Sequence, residues 1–223
     1  MPNVLIVAAT KTEIGGLIHH YEVPVSAENG MFQSQKQTDL WVLLTGAGMV
    51  NTAFELGKLI GSRFDVVINA GIAGSFNRYQ IGDVVNVTQD CFSELGAEDG
   101  DGFLNMDELG LGRQNVEPLY PFENHVSSRL PVTNAITVNT VHGNEKSITS
   151  IVEKYQPHIE SMEGAAFFHA ANSFNWKCIQ LRAVSNLVTR RNRSEWNIDL
   201  AVKNLNTLLI ELVNSLIINT AQE

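Results

Sequence analysis

The run Ser161-Met162-Glu163-Gly164-Ala165-Ala166-Phe167-Phe168 places a carboxylate at the mouth of a segment that otherwise reads as buried. From Ala165 through Ala171 the chain is almost uniformly apolar and free of helix breakers, which predicts a core-facing helix. Glu163 is expected in its first turn, where the helix dipole and free backbone N–H groups favour the ionised form. Gly164 and the alanines after it let a ligand or another backbone come close. On this stretch alone, a helix-start glutamate that only caps the first turn is the favoured explanation. The rest of the chain has to decide between the two.

Working outward, Val4 to Ala9 is a continuous β-branched and aliphatic run, the pattern of a strand buried on both faces. Thr10-Lys11-Thr12-Glu13 follows at its carboxyl end, where open α/β sheets place ligands, and Ile14, Leu17 and Ile18 resume at helical spacing. Glu13 is therefore a second candidate carboxylate. Tyr21 to Asp39 reads as hairpin or loop, and Leu40 to Leu44 as a strand. The Gly46-Ala47-Gly48 turn then feeds a helix through Leu56, Leu59 and Ile60. That turn lacks the third glycine and the later acidic residue of a dinucleotide fingerprint, so no Rossmann cofactor site is expected. Val66 to Asn69 is a strand ending in Ala70-Gly71-Ile72-Ala73-Gly74-Ser75, small enough for a planar base to rest on backbone.

Gln80 to Val85 reads as a turn into a further strand, Ala135 to Asn139 as a strand and Lys146 to Tyr155 as a helix. Residues 92–130 form an excursion rich in Gly, Asp and Glu. Its Glu98-Asp99-Gly100-Asp101-Gly102 run lacks the spaced ligands of a helix-loop-helix calcium site and is expected to be an ordered surface loop. Ile179 to Val184 is the last core strand and carries Arg182 at its centre. An arginine buried there needs a partner, with Glu13 or a bound anion as candidates. A helix is expected from about Ser194 or Trp196, and Leu205, Leu208, Leu209, Leu212 and Leu216 give it one apolar stripe.

Composition excludes several classes. The 223 residues are 44% hydrophobic and carry a formal charge of −9, enough for one well-buried α/β domain but wrong for a nucleic-acid or anionic-membrane surface. Cys91 and Cys178 belong to no Cys-x-x-Cys or Cys/His cluster, so neither a metal nor a redox site is expected. No basic region precedes the apolar N-terminus, and Lys203, Asn204, Glu211 and Asn214 interrupt the apolar C-terminal segment. A cytoplasmic protein acting on small molecules, without cofactor, is the expectation.

Glu13 after the first strand, Gly71-Ile72-Ala73-Gly74, Ser161-Met162-Glu163-Gly164-Ala165-Ala166 and Arg182-Ala183-Val184-Ser185-Asn186 occur in that order. Together they resemble the nucleoside phosphorylase and nucleosidase superfamily over nearly the whole chain. Two further stretches, Leu95 to Phe103 and Arg191-Asn192-Arg193-Ser194-Glu195-Trp196, are similar to its branch that hydrolyses futalosine on the route to menaquinone. The resemblance implies a three-layer α/β domain with a central mixed, twisted sheet flanked by helices, and a homodimer or higher homo-oligomer. It implies that Glu13 activates water with Arg182 nearby, that Met162 packs under the ribose, and that Glu163 binds ribose hydroxyls and stabilises the sugar cation. Ala73, Gly74 and Ser185 would line the substrate site.

Two departures are informative. Adenine-directed relatives carry an aspartic acid where this chain has Asn186, whose amide NH2 suits the acceptor edge of a 6-oxopurine. They carry a water-holding serine where this chain has Ile72. The base-stacking aromatic is not identifiable, with Asn139 to His142 as its region and His142 read as a loop histidine. Arg190, Arg191 and Arg193 are either a solvated basic turn or the partner of futalosine's benzoate, Arg191 foremost. A purine nucleoside phosphorylase, a methylthioadenosine/S-adenosylhomocysteine-type nucleosidase and a non-catalytic nucleoside sensor are the alternatives. Phosphorolysis would need clustered cations beside Glu13, and no strand end supplies them.

Overall fold

The computed structural model describes residues 2–26, 29–100 and 102–219. Met1, Asp101 of the acidic run, and Ala27 and Glu28 of the loop after Tyr21 lie outside the described residues. The first strand, β1 (Val4–Ala8), is buried along its length, and its alternate side chains enter two different cores. Val4, Ile6 and Ala8 pack with Leu17 of α1 (Gly15–His20) and with Leu205, Leu209 and Leu212 of α5 (Ile198–Asn219). Leu5 and Val7 pack with Leu56 of α2 (Met49–Gly57) and with Phe167 and Phe168 of α4 (Gly164–Ser173). A strand feeding both faces is the reason its sequence shows no polar alternation. The outcome is a three-layer α/β architecture, with α1 and α5 on one face of a mixed sheet and α2 and α4 on the other.

Strand β1 runs parallel between β3 (Leu40–Leu44) and β4 (Val66–Ser75), and β2 (Gly30–Gln33) forms the edge beyond β3. Past β4 the order continues through β11 (Cys178–Leu187), β5 (Val84–Cys91), β9 (Val132–Thr137) and β10 (Ile159–Ser161). The last strand turns back to pair antiparallel with β4, Glu160 opposite Gly74, which closes these five strands into a barrel. The glycine-rich stretch after Asn69 is itself part of β4, which runs on to Ser75. Small residues are required because other segments of the chain cross it closely. A Cβ on Gly74 would lie 2.8 Å from Val188 Cγ2, and one on Gly71 would lie 3.0 Å from Glu13 Oε1.

The excursion after Phe92 contains a hairpin, β6 (Gly96–Asp99) with β7 (Gly102–Asn105), and a short β8 (Asn115–Val116) on β5. Its far end returns Phe122 and Val126 to the core. These strands escaped the sequence because the segments are short and their side chains are mostly exposed, leaving no apolar period to detect. Helix α3 (Glu145–Tyr155) buries no side chain and is started by the Asn144 side chain, which accepts from the Lys146 N–H. Helix α2 stops at Gly57, so Leu59 reaches the core from a turn and Ile60 is exposed. A single 3-10 turn at Arg193–Glu195 precedes α5, which begins at Ile198, later than its sequence suggests. By length and mean hydropathy α5 matches a membrane span, yet its Leu205, Leu209 and Leu212 stripe is occupied by the sheet.

Candidate active site

Three sheet features converge at the carboxyl ends of β1, β4 and β11. In β11 the register against β4 shifts between Val184 and Asn186, so Ser185 is an extra residue that bends the strand. That bulge turns Ser185 and Asn186 toward a cavity of about 340 Å³, within the range for a small organic ligand. Glu13, Ala73, Gly74, Met162, Glu163, Ser185 and Asn186 all line it. Of the residues singled out in the sequence, Arg182 and Arg191 do not. A larger cavity of about 880 Å³ lies between the 92–119 segment and α4, but it has no facing pair of glutamates among its lining residues Phe92, Leu95, Leu111, Val116 and their neighbours.

Glu13 is held by backbone and by Thr10. Its Oε2 accepts from the Thr10 N–H at 2.9 Å and the Thr10 hydroxyl at 3.0 Å, and its Oε1 accepts from the Ile72 N–H at 3.1 Å. Ile72 thus serves the site through its main chain, which a serine-to-isoleucine exchange does not alter. Burial raises the Glu13 pKa above the usual 4.5, and the Glu163 charge raises it further, against the lowering by Ile72, Thr10 and Arg182. A carboxylate with a raised pKa in a closed site suits a general base.

Glu163 stands at the N-cap of α4, just before Gly164, and not within the first turn. Its carboxylate does not cap that helix. Oε1 accepts from the Gly48 N–H at 2.9 Å and Oε2 from the Met162 N–H at 3.3 Å. The positive φ of Gly46 and Gly48 lets the turn before α2 aim that N–H across the cavity. The helix start is secured from below instead. The Ala165 N–H donates to the Thr137 hydroxyl at 2.8 Å, which donates to buried Asp90 at 2.8 Å. Asp90 also accepts from Gln180 Nε2 and the Cys91 N–H, each at 2.8 Å. Only glycine fits at 164, because a Cβ there would meet Asp90 Oδ2 at 2.1 Å.

Arg182 is fully buried, and among the described residues it hydrogen-bonds neither Glu13 nor any other carboxylate. Its Nη2 donates to Asn69 Oδ1 at 2.5 Å and its Nη1 to the Leu181 carbonyl at 3.0 Å, while Nε has no partner. The reason is register. Arg182 sits opposite Gly71, where the missing side chain lets the guanidinium reach along β4 to Asn69. The Cβ position of Gly71 lies 3.0 Å from Glu13 Oε1 and 3.6 Å from Arg182 Nη1, so the arginine lies behind Glu13 as a charge under the floor. Burial lowers its pKa, and Glu163, Asp90 and Glu13 pull it back up.

The orientation of Asn186 follows from its neighbours. The Leu187 carbonyl can only accept, so the group facing it at 3.1 Å is Nδ2, and Oδ1 accepts from the Ser185 hydroxyl at 2.8 Å. One N–H remains for a ligand. Arg191 stacks on Trp196, 5.1 Å from the ring centroid, with Arg193 at 5.9 Å, and Trp196 lines the cavity. None of Arg190, Arg191 and Arg193 pairs with a carboxylate among the described residues.

Sequence reasoning missed Glu160 and read His142 only as a loop histidine; His142 does lie in a loop, but both residues line the same cavity and bond to each other at 2.6 Å. Burial and the Glu160 partner were invisible because β10 has only three residues. The available signal was an acidic residue two positions before Met162, on the same face of an extended segment.

Paired glutamates across a nucleoside-sized cavity, closed by an amide, define the class of α/β enzymes that cleave nucleosides. The chain belongs to the phosphorylase superfamily, whose family model matches residues 3–214. Its similarity falls on the hydrolase branch of that family. A futalosine hydrolase from Streptomyces coelicolor is 33% identical over 147 residues, covering 63% of this chain and 61% of that protein. One from Acidothermus cellulolyticus is 31% identical over 175 residues, covering 74% and 71%. The solved futalosine hydrolase of Helicobacter pylori superposes with a TM-score of 0.79 over 95% of this chain and 97% of its own, at 14% identity, a likeness of fold.

Proposed function

We propose that this chain hydrolyses the N-glycosidic bond of futalosine, releasing hypoxanthine and dehypoxanthine futalosine, in cytoplasmic menaquinone biosynthesis. The observation that carries this reading is that Glu13, Glu163 and Asn186 line one cavity, with the Glu163 charge acting on Glu13. Glu13 takes a proton from water as the water oxygen bonds to C1′. The C1′–N9 electron pair leaves with the base, and Glu163 stabilises the positive charge that develops on the ribosyl group. Asn186 cannot give up a proton. Its amide NH2 instead hydrogen-bonds the departing hypoxanthine anion at N7 or O6, and the anion takes its proton from solvent. The futalosine hydrolases among the chain's relatives support this substrate.

Water is favoured over phosphate because no lysine or arginine lines the cavity among the described residues, and Arg182 is sealed beneath it. Release of the free base, hypoxanthine from futalosine and inosine and adenine from methylthioadenosine, with and without phosphate, is the test. Phosphate-independent release from futalosine is expected. Release from inosine only with phosphate would make the protein a phosphorylase, and no release from any nucleoside would make it a sensor.

In the same reading the benzoate carboxylate of futalosine meets Arg191 at the Trp196 rim. Arg191→Glu is expected to raise KM for futalosine about tenfold or more, the scale of one charge-assisted contact. A KM that barely moves would remove Arg191 from the site. The reading also includes a homodimer. Exposed Val50 and Phe54 of α2 stand at 77% and 65% beside an apolar cavity shared with α4, a face that a second copy would cover. Sedimentation velocity showing only monomer at micromolar concentration would exclude that.

A further inference from the structure

Glu160 is a carboxylate that the mechanism above leaves without a task. It lies in β10 with 3% of its surface exposed, yet it lines the cavity. Among the described residues no lysine or arginine pairs with it. Oε1 accepts from the His142 N–H at 3.0 Å and Oε2 from His142 Nδ1 at 2.6 Å. Each carboxylate oxygen can accept twice, so an acceptor site remains on both. Its position relative to Asn186 is set by Gly74. The point where a Gly74 Cβ would stand is 3.2 Å from Asn186 Nδ2 and 3.5 Å from Glu160 Cγ. The two side chains therefore flank one backbone position, a donor beside an acceptor.

We propose that Glu160 is a specificity residue that accepts the N1–H of a 6-oxopurine while the remaining Asn186 N–H donates to the neighbouring O6. The proposal rests on the nucleosidase reading of this cavity and names a second determinant of its base. Beside N7, hypoxanthine presents the O6 acceptor and then the N1–H donor, which matches the one free amide N–H followed by a carboxylate. Adenine presents an amine where O6 stood and a lone pair at N1. Its amine would face the Asn186 NH2, and its N1 would face the carboxylate. Both mismatches leave buried polar groups unpaired, the kind of penalty that gives strong discrimination. His142 is a positioning residue here, fixing both carboxylate oxygens with its main chain and ring. The hydrogen bond to Glu160 raises the imidazole pKa above its ordinary 6.5.

Calorimetric titration of hypoxanthine, 1-methylhypoxanthine and adenine into the wild-type protein and Glu160→Gln tests the assignment without requiring turnover. Wild type is expected to bind hypoxanthine roughly ten- to a hundredfold more tightly than either other base, the scale of a hydrogen bond to a charged group. In Glu160→Gln the hypoxanthine-to-adenine ratio should fall by a similar factor, because the new amide can donate to adenine N1. Equal loss for all three bases would make Glu160 structural and overturn the proposal. So would wild-type protein that binds the three bases alike or binds none. Selective hypoxanthine binding without any release from futalosine would leave the base-reading assignment standing and remove the hydrolase reading alone.

Discussion

Glu13→Gln is expected to lower the rate of N-glycosidic cleavage by about 10²–10⁴-fold, the usual contribution of a positioned base. Glutamine keeps the shape but cannot accept the water proton. Burial and the nearby Glu163 charge hold the wild-type Glu13 pKa above 4.5, so activity should rise with pH through that raised value and then level. This acid limb should be absent from the variant. Linkage gives the corresponding sign for stability. A carboxyl whose folded pKa is raised stabilises the fold fully below its unfolded pKa, and that contribution is lost as pH rises through the folded value. At neutral pH the wild type therefore bears the cost of an ionised buried group, which the variant is spared. Opposing this, the new amide must turn a donor toward the Ile72 N–H or toward the Thr10 N–H and hydroxyl. The two effects act against each other, and thermal melting should shift little while activity collapses. A variant retaining wild-type kcat and the same acid limb would remove Glu13 from the chemistry.

What the sequence disclosed and what it hid differ by physical kind. Glu13, Glu163 and Asn186 were legible because each is a polar residue at one end of an apolar run, Glu163 before its run and Glu13 and Asn186 after theirs, and a buried run bounded by a carboxylate or an amide asks for a reason. The layer order was legible for the same reason, since Val4 to Ala8 and Ala165 to Ala171 have no polar face to give to solvent. Arg182 was legible as buried but its partner was not. Asn69 lies on another strand, and only the β4–β11 register brings them together. Glu160 and His142 were hidden by the same kind of gap. Their meeting depends on β10 closing the barrel against β4, and a three-residue strand has no period from which to infer it. Local pattern thus reports which groups need partners, while long-range pairing decides who the partners are.

Glu163→Gln is expected to reduce kcat by about 10²–10³-fold with a much smaller change in KM, as when one electrostatic contact made chiefly in the transition state is removed. The positive charge on the ribosyl group develops only as the C1′–N9 bond breaks, so a carboxylate beside it binds the transition state better than the ground state. Isosteric replacement removes that charge and adds a local conflict. Oε1 and Oε2 each accept a backbone N–H, from Gly48 and Met162, and an amide must point its own NH2 at one of them. The affinity for a cationic pyrrolidine mimic of the ribosyl group should fall in parallel with kcat, whereas binding of free hypoxanthine should not change. If KM rose instead and kcat held, Glu163 would be a ground-state ribose contact and not the cation stabiliser. The substitution carries a second signature at a distance. The Glu163 charge is, after burial, the largest cause of the raised Glu13 pKa, so its removal should move the residual acid limb toward lower pH. A limb that stays in place would mean that the two carboxylates do not sense each other, and the facing pair would lose its claim to act as one catalytic unit.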